Sequence, residues 1–291
     1  MNNSFGFIGF GEAASTLARE IKTRYPNSHI EAYDKFPNDA MKEKADKIGV
    51  NFFLSPDSMV KKCAVLGSFV TCSEVEAVAK QMAPLMAKGS IYIDFNSTTP
   101  AKKQTVNNVI SENGSFMVDA AVMGSIPENG LKVSILLSGA RAQEACDFLN
   151  ELGFNSRKIG DVPGRASAIK MVRSVFAKGL EGLFIEMLLA AKRYDVSDIV
   201  IDSVASSLEN KKIRDVMNTL VLSQVNHSLR KKSEMDCVME VLQDVNINPV
   251  MSAASRDVFA WISTLDLKSK INTSDANFQD IIDIIDSIKK V

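Results

Sequence analysis

The sequence predicts a doubly wound α/β sheet followed by an all-α C-terminal domain, on three observations. Over the first half, short apolar runs alternate with amphipathic segments of helical period, the pattern from which parallel sheets are built. A glycine-rich turn joins the first apolar run to the first helical segment. From Ala166 onward only helical periodicity is present.

Taken in order, strands are expected at FGFI (5–8), HIEAY (29–33), VNFF (50–53), AVLGSFV (64–70), SIYID (90–94), FMVDAAV (116–122) and VSILLS (133–138). Ala14, Leu17, Ala18 and Ile21, and again Val75, Val78, Ala79 and Met82, recur at the spacing that buries one helix face. Only the loop MGSIPENGLK separates the last two strands, which is too short for a crossover and predicts an antiparallel pair. After GDVPGR (160–165) the texture changes, so the domains are expected at 1–163 and 164–291. The second opens with the stretch 164–193, read as one long helix of about 28 residues from Ala166, roughly 42 Å long, sufficient to serve both domains and line a cleft between them. Further breaks are expected near Asp195, Asn210, Pro249 and Ser274, with no internal repeat or low-complexity tract.

Composition narrows the function classes. The 291 residues suffice for two domains with cores of their own. With 34 Lys plus Arg against 35 Asp plus Glu, the net charge of -1 gives no global attraction to nucleic acid or to an anionic membrane. Charge selectivity must be local. No apolar run reaches the roughly 18 residues of a membrane span, and no charged n-region with an apolar h-region precedes the first strand. The expectation is a cytoplasmic protein with no signal peptide. Cys63, Cys72, Cys146 and Cys237 lack Cys-x-x-Cys spacing and lie in or near apolar runs, so they are expected to be reduced core residues, and no metal site is expected.

The first binding motif is FGFIGFGEAASTLAREI. Gly9, Phe10, Gly11, Glu12, Ala13 and Ala14 form a Gly-x-Gly-x-x-Ala turn between strand and helix. The first glycine permits the tight turn, the second admits a pyrophosphate to the backbone, and the small third residue lets helix pack on strand. The helix start then offers free N–H groups and partial positive charge. Asp34, twenty residues past Ala14, stands where a carboxylate accepts from an adenosine ribose. The other reading is a turn aspartate beside a tight turn. A Rossmann-type site with NAD preferred over NADP is the expectation, because a 2′-phosphate would meet the Asp34 charge. Strand alternation places Lys35 on the opposite side. Glu12 is accounted for by charge–dipole pairing at the helix start if it points away from the nucleotide.

The long helix carries Lys170, Arg173, Ser174, Ala177 and Glu181 on one stripe. A solvated helix face explains such a stripe by itself; a catalytic cation is the competing explanation.

Four motifs in succession, the glycine turn, YIDFNSTTP, VDAAVMGS and GRASAIKMVRS, make the chain resemble the β-hydroxyacid dehydrogenase family, which includes 3-hydroxyisobutyrate and 6-phosphogluconate dehydrogenases. NHSLRKKSEMDCVMEVLQDVNINPVM is similar to the helical domain of a phosphogluconate-dehydrogenase-like branch. The resemblance implies that Lys170 is the catalytic lysine, that Asn96 and Ser97 sit near nicotinamide and substrate, and that Val70 and Thr71 line the cofactor. It further implies that Met123, Gly124 and Ser125 hold the substrate carboxylate and that the helical domain forms a homodimer. The implied reaction moves hydride between NAD or NADP and a β-hydroxy acid or related polar alcohol, a small anionic substrate. Such a transfer needs a group that takes the hydroxyl proton, and a lysine has its pKa lowered toward working pH by desolvation and by a neighbouring cation such as Arg173. His29 and His227 lie away from these motifs. The alternatives are a nucleotide-sensing regulatory protein without turnover, which has no need of Lys170, and an imine or keto-acid reductase with the same hydride geometry.

The departures from the family pattern fall at substrate positions. Many members have serine at Met123 and asparagines at Arg173 and Ser174. Arg173 either pairs bidentately with a substrate carboxylate or phosphate or points outward as a structural cation. His227, Arg230, Lys231 and Glu234 share one face of a later helix, read as a solvated face or as one that closes on an anionic substrate from a partner subunit.

Overall fold

The computed structural model describes residues 4–289. The chain runs β1 (Ser4–Ile8), α1 (Glu12–Arg24), β2 (His29–Tyr33), α2 (Asp39–Ile48), β3 (Asn51–Phe53), α3 (Pro56–Val60), β4 (Val65–Ser68), α4 (Val75–Met82), β5 (Ile91–Asp94), α5 (Pro100–Glu112), β6 (Phe116–Val122), α6 (Ile126–Asn129), β7 (Ser134–Ser138), α7 (Ala142–Glu151) and β8 (Asn155–Gly160). These strands form one eight-stranded sheet in the order β3-β2-β1-β4-β5-β6-β7-β8. β1 to β6 pair in parallel, while β7 runs antiparallel to β6 with Asp119 opposite Ser138, as the short connection predicts. The strand order reverses between β1 and β4. Beyond their carboxyl ends the departing loops diverge, and ligands of doubly wound sheets bind in that crevice.

Both faces of the central strands are covered, which is why they read as nearly continuous apolar runs. Phe5 and Phe7 are fully buried with ring centroids 4.7 Å apart, and Leu17 of α1 and Leu149 of α7 belong to the same core. On the other face Ile8, Leu66, Tyr92 and Met117 pack with Val78 of α4 and Val106 of α5.

β8 is a correction to the sequence reading, which ends the sheet at β7. NSRKIG holds one large apolar residue, Ile159, and faces Ser156 inward. The Ser156 hydroxyl donates to Asn150 Oδ1 at 2.9 Å, and the same oxygen accepts the Ser156 amide at 2.9 Å. Polar pairing replaces apolar alternation, so the period-two signal is missing.

The chain divides into two compact units, the first through Ser174 and the second from Val175. The sequence places the boundary at 164 instead. The first turns of α8 (Arg165–Arg193) stay with the sheet because Asp119 Oδ2, in β6, accepts the amides of Gly164 and Ser167 at 3.1 and 2.9 Å.

The second unit contains the rest of α8, α9 (Ser197–Leu208), α10 (Ile213–Asp244), α11 (Val250–Ser263), α12 (Leu267–Lys270) and α13 (Phe278–Lys289), with no strand among the described residues. Asp195 and Asn210 follow helix ends at φ 58 and Asn246 at φ 57, while Asp266 at φ 48 caps the start of α12. Asn and Asp tolerate this left-handed region better than other side chains do. The turn at Asp266, with no Gly or Pro to mark it, is additional to the expected breaks. Glu186 is buried and accepts the Met251 and Ser252 amides at 2.9 Å each, which satisfies the start of α11. α9 has no buried residue, and Ile199 in it is 72% exposed.

Cys63 and Cys146 are buried, whereas Cys72 and Cys237 are exposed, contrary to the expectation of four core thiols. Cys72 lies beyond the end of β4 in a loop, and Cys237, on α10, lines an open cavity with Met187 of α8 and Val200 of α9. No described helix is long and apolar enough to cross a membrane.

Candidate cofactor and catalytic site

The glycine turn has the geometry its pattern calls for. Gly9 sits at φ +84 with its amide donating to the Tyr33 carbonyl at 2.8 Å, and a Cβ there would lie 2.3 Å from the Phe69 carbonyl oxygen. Only glycine fits. A Cβ on Gly11, by contrast, would meet nothing within 4 Å, so the space above the turn is open. Gly11 caps α1 without a side-chain hydrogen bond, leaving the first-turn amides available to a ligand, and exposed Glu12 sits at the positive end of the helix.

Asp34 fixes the turn from below. Its Oδ2 accepts the Phe10 amide at 2.9 Å and its Oδ1 the Phe36 amide at 2.9 Å. Gly9, Gly11, Glu12, Ala13, Ala14 and Asp34 line a cavity of about 400 Å³ together with Lys35, Phe36, Phe69, Val70, Thr71 and Glu74. Lys35 therefore shares the cavity with Asp34, against the expectation from strand alternation. β2 ends at Tyr33, so the alternation has stopped before Lys35 is reached. Its ammonium lies 3.1 Å from Glu74 Oε2.

The loop after β5 forms the next part of the site. Asn96 is buried; its Oδ1 accepts the Val70 amide at 2.6 Å, and its Nδ2 donates to Asp94 Oδ1 at 2.6 Å and to Ser68 Oγ at 3.0 Å. Its carboxamide is committed to joining the loops after β4 and β5. Ser97 is exposed, with its hydroxyl accepting from Lys170 Nζ at 2.6 Å, and the Cys72 thiol donates to the Ser97 carbonyl at 2.9 Å.

Lys170 is half-buried, and its pKa is lowered from the ordinary lysine value. Burial is the largest cause, the like charge of Lys103 the second, and Cys72 opposes them. Lys103 takes the part the sequence reading gave to Arg173. The Arg173 guanidinium, exposed, donates to the Met123 carbonyl at 3.4 Å.

Met123 donates its own amide to the Ser134 carbonyl at 2.8 Å and packs its side chain with Ala121, Leu136 and Ala166. Gly124 is exposed, and Ser125 turns into α6 with its carbonyl accepting the Asn129 amide at 3.1 Å. The Ser174 hydroxyl donates back to the Lys170 carbonyl at 2.9 Å. His227 and Arg230 belong to the second unit, on exposed positions of α10, where Arg230 pairs with Glu234 one turn on.

The structure thus gathers the glycine turn, Asp34, Val70 and Thr71 around one cavity, and Asn96, Ser97, Met123, Lys170 and Arg173 into a connected set beside it. The sequence reading missed Phe36, Glu74, Cys72 and Lys103. A lone aromatic in the polar stretch two residues past Asp34 is the signal the sequence offers for Phe36.

The model of the NAD-binding domain of 6-phosphogluconate dehydrogenase matches residues 4–154. A conserved hypothetical protein from Sinorhizobium meliloti 1021 is 31% identical, with 98% of this chain and 96% of that one covered and a TM-score of 0.63. Human mitochondrial 3-hydroxyisobutyrate dehydrogenase is 29% identical over 126 residues, 42% of this chain and 36% of that protein. An imine reductase from Myxococcus stipitatus, in complex with NADP+, shares the fold at a TM-score of 0.75 and 14% identity, with 90% of this chain and 94% of that one covered.

Proposed function

Because the chain belongs to the family defined by the NAD-binding domain of 6-phosphogluconate dehydrogenase, we propose that it is an NAD(P)-dependent oxidoreductase acting on a β-hydroxy acid or related polar alcohol, with Lys170 as general acid/base. The observation that carries this reading is the 2.6 Å hydrogen bond from Lys170 to Ser97, on the loop whose Asn96 also holds Val70 at the cavity.

The residues present fit a dinucleotide. The open space over Gly11 and the uncapped start of α1 suit a pyrophosphate, and Asp34 retains lone pairs for ribose hydroxyls after accepting two amides. Phe36, exposed at the rim, offers a face on which an adenine can stack. The nicotinamide, when bound, supplies the hydride acceptor or donor.

The remaining chemistry falls to the chain. Lys170 in its neutral form takes the proton of the substrate hydroxyl, or as ammonium returns it, and Ser97 orients the amine by accepting from it. The lowered pKa raises the neutral fraction near physiological pH. Gly124 and Ser125 are assigned to the substrate carboxylate, and Arg173, with one N–H on Met123, keeps further donors for a second anionic group. A sensor without turnover would have no use for a partly desolvated lysine at this point.

The helical unit, from Val175 onward, is assigned to substrate contact and homodimerisation. Its exposed apolar side chains, Ile199 at 72% and Leu229 at 67% among them, are more than a solvated helical surface carries. His227 and Arg230 are assigned to substrate contact from the partner copy.

A screen of hydroxy acids, sugar acids and β-hydroxy amino acids with NAD and NADP, followed by reduced-nicotinamide absorbance, tests the reading. Turnover of an anionic hydroxy compound is expected. Tight nucleotide binding with no turnover of any of these compounds would favour the sensor.

A further inference from the structure

Lys103, on α5, is fully buried beneath the site. Its ammonium lies 3.1 Å from Asp94 Oδ1 and 3.3 Å from Asp119 Oδ1, and it donates to the Asp94 carbonyl at 2.8 Å. Neither carboxylate side chain is exposed to solvent. Burying three charges together is costly unless each is paired and hydrogen-bonded.

The pairing is extensive, and it leads to the reacting end of the site in two directions. Asp94 Oδ1 accepts the Asn96 amide at 2.9 Å and its Nδ2 at 2.6 Å, which fixes the residue before Ser97. Asp119 accepts the Gly164 and Ser167 amides at 3.1 and 2.9 Å and the Ser167 hydroxyl at 2.7 Å, at the positive end of α8 and one turn before Lys170. Lys103 joins the two carboxylates. The 2.6 Å bond from Lys170 to Ser97 closes the circuit.

We propose that Lys103 is a positioning residue: by holding Asp94 and Asp119 together it sets the start of α8 against the loop after β5 and fixes Lys170 on Ser97. This rests on the reading of Lys170 as the acid/base. Stability alone is a weak reason for the arrangement, since well-packed apolar residues often replace a buried ion pair at no loss. Its two ends, Ser97 and Lys170, supply a reason in geometry.

The charge of Lys103 also bears on Lys170, second to burial and in the same direction, while Cys72 acts the other way. Arg173 extends to Met123, and Asp94 and Asp119 are each engaged by Lys103. Releasing Lys170 from this place, or removing the Lys103 charge, therefore moves its pKa upward.

The test needs no substrate. Acylation of Lys170 by an amine-reactive reagent is followed across pH by peptide mass spectrometry, with exposed Lys44 as the internal reference. In the wild type the Lys170 midpoint is expected below that of Lys44. In the Lys103→Met/Asp94→Asn double variant, which removes one charge of each sign and leaves an amide oxygen for the Asn96 donors, the loss of position should move it up toward that of Lys44. Should that variant fail to fold, Ser167→Ala removes the hydroxyl donor to Asp119 while both amide donors and all three charges stay, and a smaller rise is expected. A wild-type Lys170 that titrates with Lys44, or a folded variant of either kind whose Lys170 midpoint is unmoved, overturns the proposal. Nicotinamide-nucleotide binding is measured on the same samples; its absence in the wild type would remove the functional reading and leave the Lys170 titration to decide the positioning role.

Discussion

Asp34 Oδ2 accepts the Phe10 amide at 2.9 Å, so the carboxylate proposed for the ribose also holds the glycine turn to the end of β2. Under that proposal one side chain carries both nucleotide choice and loop order. NAD is expected to bind more tightly than NADP, because a 2′-phosphate meets the Asp34 charge and Lys35 is engaged by Glu74. Asp34→Ser should weaken NAD about tenfold, the scale of one lost hydrogen bond to a charged group, and narrow or reverse the preference. Fluorescence titration of both nucleotides checks this, and tighter NADP binding by the wild type would count against it.

The two glycines of the turn should separate on substitution. Gly9→Ala meets both a left-handed φ and the Phe69 carbonyl; the backbone strain alone is roughly 1–3 kcal/mol, so its melting temperature should fall. Gly11→Ala meets open space and should melt with the wild type while binding NAD more weakly. Thermal melts with and without nucleotide distinguish the pair; equal melting losses would contradict the geometry.

Lys170→Met should lower turnover of a confirmed substrate by about 10² to 10⁴ with NAD affinity unchanged. The pH dependence has a definite sign. The folded-state pKa is lowered, so oxidation should rise as pH climbs through a value below that of an ordinary lysine. Between that value and the unfolded pKa the unfolded chain binds more protons, so the Lys170 contribution to stability also increases with pH in that window. An alkaline limb unchanged in Lys170→Met would assign it to another group.

Arg173→Ala should raise KM for an anionic substrate by at least about tenfold, as for a lost charge-assisted pair, and affect an uncharged analogue little. Steady-state kinetics on matched substrates decides it. Equal effects would return Arg173 to a structural role at Met123.

Light scattering of the purified protein should give twice the chain mass, and Ile199→Glu, at a 72% exposed position of α9, should shift it toward the monomer. A wild-type monomer at micromolar concentration would exclude the proposed dimer.

The parts of the fold that announce themselves are those with both faces or one stripe buried. FGFI and SIYID are legible because their apolar residues are local facts of the sequence, whereas NSRKIG is held by Ser156 and Asn150, a pairing visible only in three dimensions. The same division holds in the site. The glycine turn, Asp34 and Lys170 occupy motif positions. Lys103 in PAKKQTV looks like any cation on a helix face; its burial depends on carboxylates contributed by β5 and β6. Lys35 misled for a different reason, since alternation holds only while the strand lasts and β2 stops at Tyr33.

The grip of Asp119 on the α8 amides has a bearing on synthesis. All eight strands leave the ribosome before Gly164 and Ser167 do, and until then Asp119 Oδ2 has neither of those amide donors. In a nascent chain halted after β8, buried Asp119 has the Lys103 ammonium and the Ser138 hydroxyl but none of its donors from residues 164–167. Incomplete satisfaction of a buried pair typically costs a few kcal/mol, a large share of a domain's whole stability. Asp119 therefore gains its last donors only once the first turn of α8, part of the same unit, has been made, and a fragment cut at residue 154 or 163 ends short of that turn.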